Sequence, residues 1–144
     1  MIDRKFLKCS LRTPKTPADA SKTNFTALDR QLFGAKEILT RLRTRRGQIL
    51  ADDAGLGKTW TAALVALNVA LCGGSVLILV PNKGLQAKWI KDIGKVMAAL
   101  PVFKGVNIRA QQKLRDDTAW RVKRSSAGSI VIASHASYGQ ENFP

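Results

Sequence analysis

Between Ile49 and Thr59 the chain passes from a short apolar run through a glycine-rich turn into a helix-forming segment, Ile49-Leu50-Ala51-Asp52-Asp53-Ala54-Gly55-Leu56-Gly57-Lys58-Thr59, and few folds have room for that succession. It reads as a phosphate-binding loop. A strand delivers the chain to a tight turn, glycines let backbone N–H groups close around phosphate oxygens, and the next helix starts with its positive dipole end aimed at the same anion. On this reading Asp53, Ala54, Gly55, Leu56 and Gly57 wrap the phosphates, and Trp60 belongs to the first helical turn behind them. Lys58 reaches the β- and γ-phosphates as a point charge, and the Thr59 hydroxyl completes a magnesium shell, which makes these two the candidate catalytic residues. The full pattern G-x-x-x-x-G-K-[ST] asks for glycine at position 52, where this chain has Asp52. The plain alternative is an ordinary strand-to-helix turn with Lys58 solvated.

Periodicity places the other elements around this loop. A helix is expected from Thr26, with Thr26 as N-cap, Asp29 three residues on, and Leu28, Leu32, Ala35, Leu39 and Leu42 along one face. Its end carries Arg41, Arg43, Arg45 and Arg46. Cations there suit the helix dipole, and they also suit a nucleic-acid backbone; the sequence leaves both open. Gln48–Asp52 is expected as a first, buried strand, and Thr59–Leu71 as a largely buried helix closed by Cys72-Gly73-Gly74. Ser75–Val80 is expected as a second buried strand, stopped by Pro81. A helix from Asn82 follows, with Leu85, Trp89, Ile93, Val96 and Leu100 on its apolar face. Val102–Ile108 makes a third strand, Gln111–Arg124 a polar helix anchored by Leu114 and Trp120, and Ser129–Ala133 a fourth strand. The alternation of strands and helices predicts an α/β fold with a parallel sheet and right-handed crossovers. Residues 1–24, with Pro14 and Pro17 in a polar stretch, are expected to form a poorly ordered basic arm ahead of a domain over 25–144.

A chain of 144 residues suits one domain with a real core. Lys and Arg number 24 against 10 Asp and Glu, a net charge of +14, which favours polyanionic partners, nucleic acid first. The excess gathers ahead of the loop: residues 1–50 hold 12 basic and 4 acidic side chains. Cys9 and Cys72 form no disulfide framework, and the single histidine, His135, offers no metal spacing, so a reducing compartment, cytoplasmic or nuclear, is expected rather than secretion. No apolar run approaches the ~20 residues of a membrane span, and the N-terminus has no signal-peptide core.

Four segments resemble, in order along the chain, motifs of the first RecA-like domain of superfamily 2 helicases, and within them the Swi/Snf-type DNA translocases. Leu50 to Thr59 is similar to that branch's loop, L-A-D-E-M-G-L-G-K-T, in which Asp is usual at position 52; Asp53 and Ala54 replace Glu and Met. Ala27-Leu28-Asp29-Arg30-Gln31-Leu32-Phe33-Gly34 resembles the glutamine motif L-R-x-Y-Q-x-x-G, although Ala27, Leu28 and Arg30 depart from it. The resemblance implies that Gln31 reads the adenine edge, for which a side-chain amide offers donor and acceptor together. Val76–Pro81 with Trp89 resembles the next motif, implying nucleic-acid contact at Pro81, Asn82 and Lys83, with Trp89 a core residue. Ile130–His135 resembles a strand and turn that also approach DNA, implying contact at Ser134 and His135, the latter standing where a tyrosine is more usual.

What the resemblance implies is a P-loop NTPase with a RecA-like three-layer sandwich, incomplete here, using ATP and Mg2+ to move on nucleic acid, double-stranded DNA above all. The family's Asp-Glu-x-His motif and second RecA-like domain would lie beyond Pro144. Turnover by this chain alone is therefore expected to be negligible, completion by the rest of the motor or a partner chain is expected, and open sheet edges invite self-association. Two other readings stay open: a basic nucleic-acid or protein binding module with a non-hydrolysing loop, and a P-loop enzyme of another kind, for which no base or lid is found.

Overall fold

The structure, a computed structural model, describes residues 26–110 and 128–134. The expected arm over 1–24, the expected helix over 111–124, and His135 lie outside the described residues. The chain divides into two compact units, Met1–Val65 and Ala66–Pro144.

In the first unit, α1 spans Ala27–Leu42. It starts where the sequence predicts: the Thr26 side chain accepts from the Asp29 N–H, and the Asp29 carboxylate accepts from the Thr26 N–H at 3.0 Å, a reciprocal cap. Leu32, Ala35 and Leu39 are buried, and Leu28 and Leu42 at the stripe's two ends are half-buried. Helix α2, Lys58–Leu71, begins in this unit and is buried at Thr61, Ala63 and Leu64.

The expected strand Gln48–Asp52 is not one. The segment carries no ladder, and Ile49 is 83% exposed. An apolar run becomes a strand only when another backbone lies beside it to take its hydrogen bonds, and among the described residues none pairs with this one.

The second unit is built on a parallel sheet of three strands, in the order β1-β3-β2: β1 is Ser75–Val80, β2 Asn107–Ala110 and β3 Ser129–Ser134. Register runs Ser75↔Ser129 through Val80↔Ser134 on one side and Asn107↔Ser129 through Ala110↔Ile132 on the other. Central β3 is buried along nearly its whole length, as an apolar run without alternation should be. Helix α3, Lys83–Ala99, packs on all three strands, and Gln86, Ile93 and Val96 are its buried residues. The fold is thus mixed α/β with a small parallel sheet, the class expected.

Two further expectations change. Val102–Ile108 is not a strand at its start: Pro101–Phe103 is a 3-10 turn with the proline at its first position, where a missing N–H costs nothing, and Phe103 is fully buried. Gly105, at φ +100, then turns the chain into β2, which begins only at Asn107. Ser75–Val80 is a strand but not a fully buried one: Ser75, Leu77 and Leu79, which alternate along one face, are exposed. Leu77 is 41% exposed and Leu79 62%.

Candidate functional site

The turn ahead of α2 takes its shape from two glycines in the left-handed region, Gly55 at φ +85 and Gly57 at φ +83. Side chains other than glycine rarely adopt that backbone. Asp53, Ala54, Gly55 and Leu56 are exposed; Gly57, Lys58, Thr59 and Trp60 are half-buried. The first intrahelical bond runs from the Thr61 N–H to the Gly57 carbonyl at 3.1 Å. The N–H groups of Lys58, Thr59 and Trp60 therefore have no partner one turn back and crown the helix end. An anion is the natural complement of such an end.

Lys58 closes the turn on itself. Its Nζ donates to the carbonyl oxygens of Asp52, at 2.7 Å, and of Asp53, at 2.8 Å. The ammonium is thereby tied to the backbone of the turn that leads into its own helix. Gln31, half-buried on α1, lays its side-chain amide against Gly57, so a Cβ at Gly57 would collide with the Gln31 amide. The residues that the sequence assigns to phosphate and to adenine are thus neighbours. Two left-handed glycines with a side-chain amide beside the second are a backbone and donor–acceptor set that fits a nucleotide.

Beside the turn lies a cavity of about 440 Å³, between α1 and the extended segment Gln48–Asp52. Gln31, Phe33, Ile38, Leu50, Leu56 and Thr61 are among its walls, and Arg30, Glu37 and Arg41 add charge. Its size and mixture of apolar walls with a few polar groups are those of a small-molecule site. Phe33 and Ile38 carried no functional signal in the sequence, where they are simply helix residues.

The residues assigned to nucleic acid fall in the second unit. Pro81, Asn82 and Lys83 are exposed. Asn82 is the N-cap of α3, its Oδ1 accepting from the Leu85 N–H at 2.9 Å. Ser134 ends β3 in register with Val80, so the outgoing ends of β1 and β3 lie side by side; its own side chain is fully buried. Trp89, expected in the core, is half-buried. Sequence reasoning missed Gln86, which is buried in α3 and donates through Nε2 to the Ile132 carbonyl at 2.6 Å, tying the helix to the central strand. A signal existed: Gln86 stands seven residues before Ile93, on the apolar stripe.

Comparison with known proteins fits this geometry. A profile of the family described as type III restriction enzyme, res subunit, matches residues 24–142. The chain is 43% identical over 65 residues to the RNA polymerase-associated protein RapA of Pseudomonas aeruginosa (strain LESB58), a stretch covering 44% of this chain and 6% of that protein. It is 36% identical over 72 residues to the uncharacterized ATP-dependent helicase YqhH of Bacillus subtilis (strain 168), covering 49% of this chain and 12% of that protein. The matched stretches are thus a small part of either relative's length. No solved structure matches. The helicase resemblance read from the sequence motifs is borne out.

Proposed function

We propose, from the fact that this chain belongs to the type III restriction enzyme, res subunit family, that it is the ATP-binding portion of a nucleic-acid-dependent ATPase of the Swi/Snf-like translocase type. The observation that carries the reading is the turn itself: left-handed Gly55 and Gly57, three N–H groups at the start of α2 with no partner one turn back, and Lys58 held on the turn's carbonyls. The names borne by RapA and YqhH support it, one as RNA polymerase-associated, the other as an ATP-dependent helicase.

On this reading Lys58 leaves the carbonyls of Asp52 and Asp53 for the outer phosphates, and the backbone from Asp53 to Trp60 takes the inner ones. Thr59 holds magnesium, and Gln31 selects adenine at the cavity. Magnesium-ATP, when bound, supplies the labile anhydride; the chain's own part is to orient it and screen its charge. Pro81, Asn82 and Lys83, with the end of β3, meet the nucleic acid, which we take to be double-stranded DNA. No Asp-Glu-x-His stands among these 144 residues, so we take turnover to require the rest of the motor or a partner chain. No helix among the described residues is long and apolar enough to cross a membrane.

Calorimetric titration of the chain and its Lys58→Ala variant with Mg-ATP tests the reading. Binding by the parent, weakened at least ~10-fold in the variant, is expected, since a lysine on phosphate is a charge-assisted contact. Equal affinity in the two would discard it in favour of a basic binding module with an inert loop.

A further inference from the structure

We propose that the turn closing α1, which presents Arg43, Arg45 and Arg46, is a second docking surface for nucleic acid, taking the sugar-phosphate backbone independently of the Pro81–Lys83 turn. The proposal rests on the nucleic-acid part of the reading above, and not on the loop's nucleotide chemistry.

The turn is built. The Arg41 carbonyl accepts from the Thr44 N–H at 3.1 Å, from the Arg45 N–H at 2.9 Å and from the Thr44 hydroxyl at 3.3 Å, while the Arg43 N–H reaches the Thr40 carbonyl at 3.3 Å. This winding holds the backbone of the three arginines on one short bend. All three side chains are exposed, and none has an acidic partner among the described residues. The contrast with Arg41 is direct: it has Glu37 one turn back, at 3.8 Å.

The helix dipole does not account for the cluster. Its field is felt within the last turn, which here covers Arg41 and the C-cap Arg43. Arg45 and Arg46 lie past the helix end, where they add only mutual repulsion. Like charges crowded without a counter-charge are an uncompensated cost in the free protein, removed by a polyanion. The residue type narrows the partner further. A guanidinium presents a planar fork that matches phosphate bidentately, whereas a merely solubilising face is served as well by lysine. From Arg43 to Arg46 the backbone spans at most about 11 Å, so the surface covers no more than about three phosphates on one strand.

Fluorescence anisotropy of a labelled DNA duplex of about 20 base pairs, titrated with the intact chain and with its R43Q/R45Q/R46Q variant across a salt series, tests this. Each arginine–phosphate contact contributes about 0.9 to the slope of log affinity against log salt, so the slope should shallow by about 2 to 3 in the variant while Mg-ATP binding is unchanged. An identical slope in parent and variant would overturn the proposal. So would failure of both to bind duplex, an outcome that leaves the nucleotide reading standing if Mg-ATP still binds. Displacement of the duplex from the parent by poly-glutamate of equal charge, with the variant indifferent to that competitor, would also overturn it, in favour of an acidic protein partner. Should the triple variant not fold, Arg45→Gln and Arg46→Gln singly, both past the helix end, should each shallow the slope by about 1, and no change in either would count against the surface.

Discussion

At Gly57 a backbone at φ +83 and the amide of Gln31 together leave no place for a side chain. Gly57→Ala would strain the backbone by roughly 1–2 kcal/mol and push Gln31 off the turn. We expect a modest fall in thermal stability together with a loss of Mg-ATP affinity much larger than the strain alone explains, measured by scanning calorimetry and titration on the same sample. A variant that binds as the parent does would show that the cradle is not used. The glycine, the lysine and the threonine were legible in the sequence because the geometry they serve admits few other residues. Gln31 entered only through the resemblance to the glutamine motif, and its contact with Gly57 was not legible, because a motif match says nothing of which atoms meet. The carbonyl partners of Lys58 were not legible at all: every residue offers a carbonyl, so no residue type marks them.

Among the elements, the helices and the strands β1 and β3 fall where the sequence places them, whereas the other two expected strands do not. The starts of α1 and α3 are fixed by Thr26 and Asn82, whose side chains satisfy N–H groups within their own next three residues. Such a signal is local and survives reading in one dimension. Asn82→Ala should therefore cost about 1 kcal/mol of stability, seen as a lower denaturation midpoint, and Asn82→Asp should restore most of it. If the alanine variant unfolds where the parent does, the cap contributes nothing and Asn82 is kept for another reason. Strands depend on a second segment. Among the described residues, Gln48–Asp52 has the composition of a buried strand and no neighbour to pair with, and the third strand slips toward Asn107 because Pro101 and Phe103 claim the preceding residues for a turn. Apolar patterning sees none of these circumstances.

At the scale of the molecule, one side of β1 has no pairing strand among the described residues, and the strand carries neither proline nor charge. Edges of that kind recruit other edges. We expect the isolated chain to self-associate as its concentration rises, and Leu79→Lys, on a residue already 62% exposed, to suppress this without loss of helical content. Sedimentation velocity decides the matter, and a sedimentation coefficient independent of concentration in the parent would dispose of the idea. The class of the fold was legible from the alternation of apolar runs and amphipathic helices. The extent of the sheet was not, because it depends on how many strands are present to pair.

The ladder between β1 and β3 also has a consequence in time. Val80 finds its register partner only at Ser134, and the residues between must leave the ribosome first. At ~5–20 residues per second, the six residues of β1 spend roughly 3–10 s complete but without the central strand that will cover them. For that interval they are a peptide of the kind chaperones hold. The burden of making this protein thus falls on the cell's capacity to wait, and a slower ribosome lengthens the risk.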